Sequence, residues 1–202
     1  GAKSRDEILN AALRMMSLHG YEGASVSKIA AESGLPASSI YWHFGSKAGV
    51  LAAVLERGAT AFFLSSREGA GANDRPVVDP LTTLREAFRQ AQIAADAHPE
   101  FLRLLFLLTL SGVHDERVTT VINEATNEGR EQLHGLIRHA FSGEGEAMSL
   151  RIADELADYA RATFDGAFLN SQTRPNISFA ILTDRMAETI YALAMGIIRR
   201  DS

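Results

Sequence analysis

The 202-residue chain contains no cysteine. That removes disulfide frameworks, cysteine-ligated zinc, iron–sulfur clusters and thiol catalysis, and it suits a reducing compartment. Long apolar runs are missing as well. The stretch Phe101 to Leu110 is interrupted by Arg103 and is about half of the roughly 20 residues that span a bilayer, so it reads as a buried helix and no membrane partner is expected. No apolar core follows Gly1-Ala-Lys-Ser-Arg-Asp-Glu7, so no secretory signal is expected and the predicted location is the cytoplasm. Positive charge is also scarce: 20 Lys and Arg face 25 Asp and Glu, a net charge of −5 that argues against a generic nucleic-acid coat protein. The deficit is uneven. Residues 1–47 carry five Lys/Arg (Lys3, Arg5, Arg14, Lys28, Lys47) against four acids (Asp6, Glu7, Glu22, Glu32), a balance of +1 that leaves −6 for the rest.

Catalytic signatures are absent too. There is no His-Glu-x-x-His, no phosphate-binding Gly-x-x-x-x-Gly-Lys, no Gly-x-Ser-x-Gly elbow and no dinucleotide fingerprint. No enzyme activity, catalytic residue or cofactor is expected. Glu124, Glu128, Glu131 and His134 gather on one helical stretch, but a second Glu-x-x-His is missing, so they read as solvated charge with no metal.

What the chain has is helix. Apolar residues make up 46 %, enough for a sizeable core, and they recur at spacings of three and four rather than in strict alternation. The expected fold is all-α with about nine helices. Ser4-Arg-Asp-Glu7 has the form of a capping box ahead of a first helix that Gly20 stops. Short helices follow over about 27–33, ended by Gly34, and about 37–44. Ser46 caps a fourth helix running from Lys47 to about Ser66, and a glycine-rich loop fills 69–76. Asp79-Pro80 starts a fifth, which ends near His98-Pro99. The apolar helix over 100–110, a long helix ending at Gly143-Glu-Gly145, and two further helices over about 147–170 and 178–200 complete the chain.

The segment from Gly20 to Lys47 is the informative one: a short helix, a glycine turn and a second short helix, the geometry that crosses one helix over the DNA backbone and lays the next in the major groove. Ile29, Ala30, Leu35 and Ile40 can form its small core. Ser38, Ser39, Tyr41, Trp42 and His43 are left to face outward, and such groups suit phosphates and base edges.

This segment closely resembles the DNA-binding motif of the TetR family of transcriptional regulators, through Gly20-Tyr21, Ser25-Val26, Ile29-Ala30, Gly34-Leu35, Ile40-Tyr41, His43-Phe44, Ser46-Lys47 and Leu51. The resemblance covers about the first quarter of the chain. It implies a three-helix helix-turn-helix DNA-binding domain at 1–47, then a larger helical ligand-binding and dimerisation domain at 48–202. By the same resemblance Tyr41, His43 and Lys47 would contact phosphate, and Ser27, Ala37, Ser38, Ser39 and Trp42 would face the groove. Two positions depart from the family pattern. Pro36 stands where a serine or threonine usually caps the recognition helix, and Ala48-Gly49 stands where an acidic residue usually follows Lys47, which implies a looser hinge.

The function this implies is a ligand-responsive regulator, most often a repressor, that binds an inverted-repeat operator in double-stranded DNA as a homodimer and is released by a small hydrophobic or amphipathic effector. Phe88, Gln92, Phe106 and Phe164 are the candidate effector contacts, drawn from a wider aromatic and polar set that includes His114. Apolar stripes on the last two helices exceed what one neighbour would cover and predict a dimer through a four-helix bundle. The alternative is a helical small-molecule-binding protein without operator-specific DNA function.

Overall fold

The computed structural model describes residues 1–70, 77, 79–112, 115–174 and 176–201. Most of the glycine-rich loop, His114 and Pro175 lie outside them. Among the described residues there are nine α-helices, one 3-10 turn at Ser142–Glu144 and no strand. The helices are α1 (Ala2–Gly23), α2 (Val26–Ser33), α3 (Ala37–Phe44), α4 (Lys47–Ala70), α5 (Pro80–Ala97), α6 (Pro99–Ser111), α7 (Glu116–Ala140), α8 (Glu146–Thr173) and α9 (Phe179–Asp201). The chain forms two compact units, one from residues 1–62 and 97–126, the other from 63–96 and 127–202.

Most of the expected boundary signals operate. The Ser46 hydroxyl accepts from the Gly49 amide at 3.0 Å, the Asp79 carboxylate accepts from the Thr82 amide at 3.0 Å, and Pro99 opens α6 directly after α5 ends. The first helix differs. It starts at Ala2 with Gly1 as its unassisted cap, because the Arg5 amide already reaches the Gly1 carbonyl at 3.2 Å. Ser4 and Glu7 therefore sit inside the helix rather than capping it. At Gly20 the helix breaks (φ 69°, ψ 171°), and one further turn carries Tyr21 in a new direction.

In the first unit, α1 packs against α2, α3 and α6. Its buried side chains Ile8, Leu9 and Met16 share that core with Ile29, Ile40, Leu51, Leu55 and the inner face of α6, including Leu104. The Phe62 and Phe101 rings meet at 5.9 Å between centroids. The Lys47–Arg67 stretch of α4 is long and apolar enough by length and composition to cross a membrane. Its Val50, Leu51, Val54, Leu55, Phe62 and Phe63 are nevertheless buried within the protein, as in the core helix of a globular domain.

In the second unit, α8 packs along α9, and Phe164 and Phe168 both meet the Phe179 ring edge-on, at 5.4 and 5.9 Å. A row of polar pairs joins α7 to α8: Arg138 with Glu146 (3.0 Å), His134 with Asp154 (2.9 Å) and Arg130 with Asp158 (2.7 Å). Glu128 pairs with Arg67. Helix α7 thus reaches α8 through Arg130, His134 and Arg138, and of its acidic residues Glu128 is paired while Glu124 and Glu131 are exposed; no group of three or more metal-ligating side chains occurs among the described residues.

Candidate nucleic-acid interface

Helix α2 begins where the Ser25 hydroxyl accepts from the Lys28 amide at 3.2 Å, a side-chain cap that satisfies one of the helix's orphan donors. It ends at Gly34, which takes the left-handed conformation (φ 70°, ψ 14°) that other residues adopt at a cost. This turn sets α3 against α2. Pro36 then precedes α3 in extended geometry without a side-chain cap, and its fixed φ of −66° leads the chain into the helix. The link between α1 and α2 is reinforced by Arg14 donating to Glu32 at 3.0 Å and by the Lys28 ammonium donating to the Gly23 carbonyl at 2.8 Å.

Ile40 is fully buried and anchors α3 to the core. On the opposite side, Ser38, Tyr41 and Trp42 lie at helical spacings of three and four and form one exposed face. Tyr41 is 54 % exposed and Trp42 77 %, unusually open for large aromatic side chains. The Trp42 and His43 rings meet edge-on at 4.6 Å, so the imidazole props the indole from one side. Ala37, Ser39 and His43 are half-buried along the flanks of this face, and Ser27 is exposed at the start of α2 with its hydroxyl 2.9 Å from that of Ser25.

Lys47 is placed differently. Its side chain is only 22 % exposed, and its ammonium sits 4.0 Å from the centre of the Tyr21 ring and 3.9 Å from a Glu22 carboxylate oxygen. Burial, together with the Glu22 and Asp115 carboxylates, pushes the Tyr21 hydroxyl above its ordinary pKa. Tyr21 and Glu22 were absent from the sequence-derived set of functional residues. The break at Gly20, visible in the sequence as a helix stop, is the signal that the chain turns there.

The departure at Ala48-Gly49 also has a geometric reading. A Cβ added at Gly49 would stand 2.0 Å from the Phe44 carbonyl oxygen. Only glycine lets the first turn of α4 come this close to the end of α3. The junction expected to be loose is closely packed.

Of the four candidate effector contacts, Phe106 belongs to the first unit and Phe88, Gln92 and Phe164 to the second. Phe88 is fully buried, Phe164 packs on Phe179, and the Gln92 amide donates to Asp96 one turn on. The sequence reading did not single out Arg161 and Asp165. Arg161 Nε donates to both Asp165 oxygens, at 2.9 and 2.7 Å, and the guanidinium occupies the space that a side chain at Gly129 would fill. Burial raises the Asp165 pKa, with Arg161 opposing the shift. Opposite charges four apart, flanking Phe164, were the available signal.

Residues 8–54 match the model of the bacterial regulatory proteins of the tetR family. The chain is 49 % identical over 41 residues to the HTH-type transcriptional regulator LmrA of Bacillus subtilis, covering 20 % of this chain and 22 % of that protein. It is 29 % identical over 113 residues to the HTH-type transcriptional repressor NicS of Pseudomonas putida, covering 55 % of this chain and 51 % of that one. It thus spans about half or less of the length of these curated relatives. Its fold is that of a transcriptional regulator from Pseudomonas aeruginosa PAO1, with a TM-score of 0.79 at 23 % identity, over 97 % of this chain and 92 % of that one. The matched segment contains α2, α3 and the glycine turn between them, and on this ground residues 8–54 are identified with the DNA-binding segment of the tetR family of bacterial regulatory proteins.

Proposed function

We propose that the protein is a cytoplasmic transcriptional regulator, a repressor, that binds an inverted-repeat operator as a homodimer and is released by a hydrophobic or amphipathic effector. The observation that carries the DNA-binding part is the exposed face of α3. Solvating Tyr41 and Trp42 in a free surface leaves large aromatic area in water, whereas a duplex groove offers phosphate acceptors and base edges to the same groups. In this reading Tyr41 and His43 donate to phosphate oxygens. Ser27, Ser38 and Ser39 give tolerant hydrogen bonds, Ala37 meets a thymine methyl, and Trp42 lies along the groove wall. Residues 1–47 are the reading head and 48–202 the effector and dimer body.

The dimer is supported by the outer faces of α8 and α9. Tyr159, Leu169, Ile181 and Leu193 are exposed there, and an added Cβ at Gly166 or Gly196 would meet nothing within 4 Å. Apolar side chains beside small residues suit close helix packing with a second copy. A two-fold dimer presents two heads, so its contacts fall about 34 Å apart or a multiple of that. Phe88, Gln92, Phe106 and Phe164 are proposed effector contacts, and the effector acts by binding one dimer shape better than another.

The test is fluorescence anisotropy with a labelled duplex enriched from a random-sequence pool by the wild-type chain. Salt-dependent binding, lost with a scrambled duplex and weakened by Tyr41→Ala, is the expected result. Failure to enrich any sequence would instead favour a small-molecule-binding protein without operator function.

A further inference from the structure

We infer that Arg161 of α8 holds the head of the effector, that this head is a carboxylate on an apolar body, and that Asp165 occupies the guanidinium until the ligand arrives. The inference deepens the effector part of the reading above and rests on it.

Arg161, Phe164, Asp165 and Phe168 recur at helical spacings of three and four and so lie along one face of α8. Phe164 and Phe168 are buried there, and the Arg161 and Asp165 side chains are only 18 and 26 % exposed. Gly129 of α7 supplies the space for the guanidinium: a Cβ added there would stand 2.4 Å from Arg161 Nη1 and 3.8 Å from a ring carbon of Phe63. Gln132 keeps α7 beside that part of α4 by donating to the Phe63 carbonyl at 3.4 Å. The neighbouring charges are engaged elsewhere, Glu128 with Arg67 and Asp158 with Arg130. Setting an ion pair into an aromatic face costs desolvation that a pair of apolar side chains would avoid, which points to a use other than packing. Its residual exposure leaves it reachable from solvent.

The two charges are not equivalent. A guanidinium stays protonated throughout the working range of pH, whereas a carboxyl in a poorly solvated site takes a proton more readily. Burial raises the Asp165 pKa, with Arg161 opposing the shift. The pair can therefore be turned net positive, by protonating Asp165, and cannot be turned net negative. An anion gains Arg161 as its counter-ion, while a cation that approaches Asp165 still meets the guanidinium. Among anions, a carboxylate replaces the Asp165 carboxylate like for like on the planar guanidinium. A phosphate monoester brings roughly two charges to a single guanidinium. On binding, the ligand oxygens take over the Arg161 donors and Asp165 receives a proton from solvent. Phe63 and Phe164 then border the apolar body.

Calorimetric titration of the full chain with sodium octanoate, octylammonium and 1-octanol tests the inference without DNA. Octanoate should bind about tenfold more tightly than either of the others. Asp165→Asn removes the competing carboxylate and the need for a proton, so it should bind octanoate about tenfold more tightly than the wild type. Arg161→Gln combined with Asp165→Asn removes both charges together and strands neither, and it should lose the preference for octanoate over octanol. Undetectable octanoate binding, a preference for octylammonium, unchanged or weaker octanoate binding in Asp165→Asn, or a retained preference in the double variant would each overturn the inference. Should circular dichroism show the double variant unfolded, the sign of the Asp165→Asn effect decides by itself. Adding octanoate to the complex with the enriched duplex separates this inference from the reading beneath it. Binding that follows the expected pattern but leaves the duplex bound sinks the effector reading and keeps the carboxylate site. Loss of octanoate binding from an otherwise duplex-binding wild type sinks the site alone.

Discussion

Ile40 and Tyr41 are neighbours in α3 and face opposite ways, the first fully buried and the second 54 % exposed. Truncating them should have separable consequences. Ile40→Ala leaves a cavity beneath the recognition helix and should cost about 2–4 kcal/mol in urea unfolding. Tyr41→Ala should leave stability nearly unchanged and weaken binding to all duplexes similarly, with the salt slope unchanged because a neutral hydroxyl displaces no counterion from the phosphate it meets. The alternation of roles was legible in the sequence, because the apolar residues Ile29 of α2 and Ile40 of α3 mark the inner sides of two short helices and leave the aromatics Tyr41 and Trp42 outside. The placement of Lys47 was not legible. As a cation at a helix start it has the form of a phosphate ligand, and only the turn at Gly20 puts Tyr21 under it. Asp165 supplies a pH test. Its folded pKa is raised above the ordinary value of 3.8, so the folded state holds the proton more tightly than the unfolded one. This contribution is fully present below 3.8 and is lost as pH rises through the raised folded value. Thermal melts across that window should show wild-type stability falling with pH relative to Asp165→Asn.

At the scale of elements, the helix ends decide how the reading head is assembled. Ser25→Ala removes the cap of α2 and should cost about 1 kcal/mol in thermal or urea unfolding. Gly49→Ala forces a methyl against the Phe44 carbonyl. Since that acceptor is backbone, α4 must shift, at a cost of about 1–3 kcal/mol, and DNA binding should fall with it. Most ends were readable, because caps, glycine stops and Pro99 act through residues three or four apart. Two were misread for a physical reason. Ser4 has capping chemistry, but the backbone ahead of it already closes a helical turn. The glycine after Lys47 looked like a missing cap partner, and in the folded chain it is the condition for a close approach.

For the whole molecule, the charge division and the apolar outer faces of α8 and α9 matter most. A head near +1 on a body near −6 predicts weak non-specific affinity per head, so useful binding needs two heads acting together. Sedimentation or light scattering should give a dimer mass, and Leu169→Lys with Leu193→Lys should shift it to the monomer while sharply weakening binding to the inverted repeat. An unchanged mass in that variant would place the dimer contact elsewhere.

The helices, most of their ends and the helix-turn-helix segment were determined by the sequence, because periodicity and capping are interactions within a turn or two of chain. The tertiary structure alone decided which polar groups are engaged. Lys47 over Tyr21, Arg161 beside Gly129 and Gly49 against Phe44 depend on how separate helices approach one another. The alternative placements of these groups differ by desolvation and close contact, which packing sets and local spacing does not encode.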